Sequence, residues 1–191
     1  MNFNEIFAQM RNLFFYLVTE IFLFSESRNF SSMRASFLSR VKIKSGKKIL
    51  IGKGIIFGRN ISLGNDVFID SNSEIFGPLH AGSNVYINRQ CYINGDVILG
   101  NNVQIGPRVS LIAVTHEIGN SNSRAGTPIV GKIIIDDGVW IGACSVILHN
   151  LHINKGAIIA AGAVVIEDVP PNVIVGGCPA KIIKRLDRKE N

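Results

Sequence analysis

Leu99-Gly100-Asn101-Asn102-Val103-Gln104-Ile105-Gly106-Pro107-Arg108-Val109-Ser110-Leu111 is the stretch that decides the fold. Leu99, Ile105 and Leu111 stand six residues apart, and Val97, Val103 and Val109 keep the same step two positions earlier. Residues two apart on a strand face the same way. Each unit of six therefore offers two inward side chains and then turns.

Followed towards the N-terminus, the first row reads Ile51, Phe57, Leu63, Ile69, Ile75, Ala81, Ile87 and Ile93; followed forward, it meets Glu117 and Ser123 and resumes at Ile129, Ile135, Ile141, Ile147, Ile153, Ile159 and Val165. Only the adjacent Glu117 and Ser123 are not apolar, so general greasiness does not explain the row. The second row, from Ile55 to Val169, is apolar or small and includes Ser73, Cys91 and Ser145. Gly or Asn often follows the first row, as at Gly52, Gly58, Gly64, Asn88, Gly100, Gly106 and Gly142. Those positions suit the positive φ and close backbone approach of a sharp corner. Three such units close a triangular coil, and stacked coils pair in parallel about 4.8 Å apart. A sandwich of ordinary strands would show a period of two with irregular turns.

The chain has 191 residues, 47% of them hydrophobic and 18% charged, which suits one packed domain with short extensions. Cys91, Cys144 and Cys178 show no metal-ligand spacing, and an odd count argues against a disulfide framework. A reducing, cytoplasmic setting fits them. The net charge of +6 gathers partly at Lys42, Lys44, Lys47 and Lys48 and partly at Lys181, Lys184, Arg185, Arg188 and Lys189, clusters that suit phosphates or anionic lipid. The apolar stretch Leu13–Phe24, broken by Glu20, is shorter than the roughly 20 residues of a membrane span. It reads as a helix packing on the body or a neighbouring subunit, or as one lying peripherally in the inner membrane interface. The expected organisation is a helical extension over 1–45, a β-helix over 46–170 with a loop at 113–131, and a C-terminal segment with a short helix and basic tail over 171–191.

Units such as Ile51-Gly52-Lys53-Gly54-Ile55, Leu63-Gly64-Asn65-Asp66-Val67 and Ile141-Gly142-Ala143-Cys144-Ser145 resemble the hexapeptide repeat of the left-handed β-helix acyltransferases. The likeness is strongest to maltose, galactoside and nodulation-factor acetyltransferases and to capsular polysaccharide O-acetyltransferases. It implies an all-β, single-stranded left-handed parallel β-helix; the handedness comes from the family, since a period of six does not show it. It also implies acetyl-CoA as co-substrate, no metal, no nucleic acid, and a homotrimer with a cleft between each pair of subunits.

The break in the period, Ala113–Pro128, is polar and rich in Gly, Ser and Asn, as a loop leaving the coil would be. His116 sits at its base. Acyl transfer to a hydroxyl needs a base, and imidazole, which ordinarily titrates near neutral pH, suits the task. The resemblance gives His116 the catalytic role. Glu117, where the family commonly has Pro, is a candidate to orient the ring or bind the acceptor. Tyr86-Ile87-Asn88 resembles a Tyr-x-Asn segment of the sugar acetyltransferases, which makes Tyr86 and Asn88 acceptor-side candidates and Asn88 a possible oxyanion donor. Val139-Trp140-Ile141-Gly142 resembles the wall of the pantetheine channel. With Ala143, Ala160, Ala161, Gly162, Lys181 and Lys184 it completes the expected coenzyme A surface, although Glu167 stands where relatives often have Lys.

The expected reaction is acetyl transfer to a hydroxyl of a sugar, favoured as a surface-polysaccharide precursor. An amino-sugar nucleotide, serine or an antibiotic is the alternative acceptor. A γ-class carbonic anhydrase would need three histidines on zinc. His80 and His116, 36 residues apart, would stand two coils and roughly 10 Å from each other within one chain, against zinc–nitrogen bonds of about 2 Å. A non-catalytic β-helix scaffold would not need His116, Trp140 and Gly176-Gly177-Cys178-Pro179-Ala180-Lys181 together.

Overall fold

The computed structural model describes residues 43–186, and the expected N-terminal helical extension lies outside them. Short strands are laid on three faces in rotation. The first face carries Lys44–Ser45, Ile61–Leu63, Leu79–Ala81, Asp96–Leu99, Lys132–Ile135 and Leu151–Ile153. The second runs from Leu50–Ile51 through Val85–Ile87 and Trp140–Ile141 to Val173–Gly177, and the third from Ile56–Phe57 through Tyr92–Asn94 to Val164–Val165. Every pairing between successive coils is parallel, with partners such as Phe68↔Tyr86 and Tyr92↔Ser110 separated by 18 residues. This is the expected β-helix.

Both inward rows fill the prism. Ile69, Ile75, Leu79, Ile87, Ile93, Ile105, Leu111, Ile135, Ile141 and Ile147 are fully buried. Each such side chain contributes about 1.5–3 kcal/mol relative to exposure. Ser73 and Ser145 are buried in the second row with them.

The corners correct one expectation. Positive φ falls three residues after the first row, not one: Asn60, Asp66, Asn72, Asn84, Gln90, Asn102, Arg108, Cys144 and Asn150 all lie between 55° and 59°. The glycines directly after the first row answer to stacking instead. A Cβ on Gly106 would sit 2.7 Å from the Ala143 nitrogen of the next coil, and one on Gly142 would sit 2.6 Å from that of Ala161.

Two further expectations change. Ile129 does not rejoin the core; it lies 38% exposed on a hairpin, and the core resumes at Ile133 and Ile135. The short C-terminal helix is replaced, among the described residues, by a strand. Ala180–Arg185 pairs antiparallel with Val173–Gly177 and extends the second sheet. Gly176-Gly177-Cys178-Pro179 turns the chain back onto the edge of that sheet, where the Val173–Gly177 backbone takes a partner and Ala180 packs against the core.

Candidate functional site

The interruption in the repeat is a β-hairpin. Val114–Ile118 pairs antiparallel with Ala125–Val130. It leaves the corner between the third and first faces, where Gly131 N–H closes onto the Ala113 carbonyl at 2.7 Å. Its tip is tied rather than loose. The Asn120 Oδ1 accepts from the backbone N–H groups of Asn122 (2.9 Å) and Ser123 (3.3 Å), and Gly119 N–H donates to the Arg124 carbonyl at 3.0 Å. Such Asx turns fix a loop by local hydrogen bonding.

His116 stands opposite Pro128, and the register slips at Glu117 before Ile118. A bulge at that point re-aims the side chains around it. His116 and Glu117 are both exposed. Neither side chain makes a hydrogen bond or ion pair among the described residues, so both imidazole nitrogens are open to a ligand. Ile118 is 89% exposed and Val130 68%, an apolar rim beside the histidine.

The remaining candidates gather elsewhere. Tyr86, Gln104 and Trp140 occupy one outward row of the second face, paired Tyr86↔Gln104↔Trp140. Trp140 is 55% exposed, and the Tyr86 ring meets Phe68 with centroids 4.9 Å apart. Asn88, Gly142, Ala143, Ala160, Ala161 and Gly162 lie along the edge between the second and third faces. Gly142 N–H donates to Ile159 O (2.7 Å) and Gly162 N–H to Ala143 O (2.8 Å), which stacks the small residues coil on coil. Asn88 Oδ1 accepts from Arg89 N–H at 2.8 Å, and its amide nitrogen has no partner among the described residues. Lys181 and Lys184 are exposed on the added C-terminal strand, with Lys181 Nζ 3.2 Å from Glu167 Oε1.

The coenzyme candidates thus share the second face and its edge, whereas His116 and Glu117 project from a different corner of the same chain. The polar column of the third face was not legible as part of this arrangement. Ser73, Cys91 and Ser145 each reach a carbonyl 15 residues on: Asn88 at 3.1 Å, Gly106 at 3.2 Å and Ala160 at 3.3 Å. A second omission is the pair Ser62 Oγ and His80 Nδ1, 2.8 Å apart on the first face. An 18-residue step of polar residues midway between the inward rows is the signal that finds it. Among the described residues no three His, Cys, Asp or Glu side chains converge as metal ligands do.

No family model matches the chain. A point variant of AntD, an N-acyltransferase from Bacillus cereus solved with dTDP-4-amino-4,6-dideoxyglucose and coenzyme A, superimposes with a TM-score of 0.74 at 26% identity, covering 81% of this chain and 90% of that one. A hexapeptide-repeat containing acetyltransferase from Vibrio cholerae O1 biovar eltor, complexed with acetyl coenzyme A, gives a TM-score of 0.61 at 26% identity over 89% and 84%. The 2,3,4,5-tetrahydropyridine-2,6-dicarboxylate N-acetyltransferase of Clostridium perfringens is 59% identical over 56 residues, 29% of this chain. The chain spans about a quarter of that relative's length, 24%.

Proposed function

We propose that this chain is an acetyl-CoA-dependent acetyltransferase that acts on a sugar hydroxyl. The structural neighbours and curated relatives support the hexapeptide-repeat acetyltransferase family and an acyl-CoA donor. Within that family we place it beside the sugar and surface-polysaccharide O-acetyltransferases. The observation that carries the reading is His116: an unengaged imidazole displayed on a tied hairpin, at the one break in an otherwise continuous prism.

In the proposed reaction His116 takes the proton of the acceptor hydroxyl as its oxygen attacks the thioester carbonyl carbon. The Asn88 amide N–H and nearby backbone N–H groups hold the oxyanion that forms. Collapse breaks the carbon–sulfur bond, and the imidazolium returns its proton to the departing thiolate. Trp140 flanks the pantetheine arm, the small residues from Gly142 to Gly162 let it lie against backbone, and Lys181 and Lys184 meet phosphate. Glu117 orients the ring or binds the acceptor beside it.

His116 and the coenzyme edge occupy different corners, so a complete site takes the hairpin of one copy and the edge of another. That is the basis for proposing a homotrimer, in which the exposed Ile118 and Val130 gain cover. The membrane-proximal reading of Leu13–Phe24 falls outside the described residues; no helix among those described is long and apolar enough to cross a membrane. We place the protein in the cytoplasm, with peripheral contact at the inner membrane face.

One observation favours a second acceptor. AntD and the Clostridium relative are both N-acyl or N-acetyltransferases by name, and an amine on a nucleotide-linked sugar would use the same base. An acetyl-CoA turnover screen over sugars, nucleotide-linked amino sugars, serine and antibiotics, with product mass, tests both. An ester product is cleaved by alkaline hydroxylamine and an amide survives. Full activity in His116→Ala overturns the proposed base.

A further inference from the structure

The outer row of the first face begins Lys44, Ser62, His80, paired Lys44↔Ser62↔His80 in successive coils. These three line an open groove of about 450 Å³ together with Asn60, Pro78 and Asp96. None belongs to the hairpin or to the coenzyme edge. Ile98 and Ile134 follow in register and separate these three from His152, the next polar member of the row, which is engaged with Asp136.

The chemistry of the groove favours an anion. Lys44 makes no ion pair among the described residues. Asp96 is the one carboxylate in the lining, and its Oδ2 lies 3.2 Å from Lys132 Nζ, which offsets its charge. Ser62 Oγ is 2.8 Å from His80 Nδ1. When the hydroxyl donates to Nδ1, the ring must carry its proton on Nε2, which becomes a fixed outward donor. Ser62 is thus a positioning residue for His80. Lys44 and His80 stand two coil steps apart, roughly 10 Å. Two linked phosphates present oxygens at both ends and can engage both side chains across that backbone spacing.

We propose that this groove is a diphosphate-binding subsite, and, resting on the sugar-acceptor reading above, that it holds the diphosphate of an activated sugar. The coenzyme also carries phosphates, so the test separates the two sources. Isothermal titration of the full chain uses inorganic pyrophosphate, UDP and acetyl-CoA as probes. Pyrophosphate and UDP are expected to bind saturably. Lys44→Ala and His80→Ala each weaken that binding about tenfold or more, as loss of a charge-assisted contact does. Ser62→Ala weakens it several-fold, and all three leave acetyl-CoA affinity unchanged. The three residues are exposed or half-buried, and matching thermal midpoints establish that the variants fold.

No saturable pyrophosphate binding, or equal affinity in Lys44→Ala and His80→Ala, overturns the subsite. A tenfold loss of acetyl-CoA affinity in those variants assigns the groove to the coenzyme and overturns the acceptor role. The titration needs no turnover. A protein that transfers no acetyl group yet binds pyrophosphate through Lys44 and His80 supports the subsite while counting against the proposed function.

Discussion

The buried Ser73 hydroxyl lies 3.1 Å from the carbonyl of Asn88, which joins the interior of the third face to an edge residue of the candidate site. The same oxygen is 3.1 Å from the Asp70 carbonyl and accepts from Cys91 N–H at 3.1 Å. Ser73→Ala strips all three groups of this partner inside a dry core. The expected cost is about 1–3 kcal/mol, read as a lower urea midpoint at unchanged m-value.

Cys91 occupies the next step of that column, and burial pushes its thiol up to about 11 from an ordinary 9.0. Thiol labelling of the native protein at pH 8 should reach the exposed Cys144 and Cys178, and Cys91 only after unfolding. The folded state holds this proton more tightly than the unfolded state, so its contribution is complete below pH 9 and fades as pH rises from about 9 to 11. A Cys91→Ala variant should show a shallower alkaline loss of stability over that window.

His116→Ala should lower kcat by about 10²–10⁴-fold. The side chain is exposed on the hairpin, so the unfolding free energy should stay within about 0.5 kcal/mol of the parent. Glu117→Gln should lower activity less and keep the same fold. Steady-state kinetics beside a urea melt checks both, and a large fall in stability would make the activity loss uninformative about a base.

Trp140 is the sole tryptophan, so the intrinsic emission of the protein reports one position on the second face. Adding acetyl-CoA should change that emission saturably. Trp140→Ala should raise KM for acetyl-CoA about 2–10-fold, the worth of an aromatic contact, with little change in thermal midpoint because the ring is 55% exposed. Unchanged emission at saturating acetyl-CoA would remove the indole from the coenzyme surface.

Gly142→Ala tests the stacking of the edge. The added methyl would meet Ala161 N at 2.6 Å and Ile159 O at 2.8 Å, both backbone atoms. Forcing those coils apart should cost about 1–3 kcal/mol. Circular dichroism melts measure it, and acetyl-CoA affinity should fall in parallel, since the same edge is the proposed coenzyme wall.

The prism was legible because its two inward rows repeat without exception from Leu63 to Leu111, and burial alone enforces that. The hairpin's place was marked by Glu117 and Ser123, but its far boundary was hidden. The separation between stacked partners is 36 residues across it, as for Asn101 and Asp137, against 18 in the coils before it, as for Ser83 and Asn101. The insertion therefore adds one whole coil's length, the phase of six survives, and Ile129 falls in step with core residues while lying outside. The corner φ values were misplaced for a comparable reason: composition shows where Gly is tolerated, not whether a left-handed turn or a neighbouring backbone demands it. The Ser62–His80 pair escaped notice because its members meet only once coils are stacked.

A hairpin the length of one full winding, closed at its root by Gly131 and Ala113, can be removed or replaced without re-threading anything beneath it. Ala113 could be spliced to Gly131 or Lys132 and every later rung would keep its partner. Hairpin and scaffold are thereby separable in this molecule: the segment that bears the proposed base is free to vary in length around it while the column that carries it stays the same.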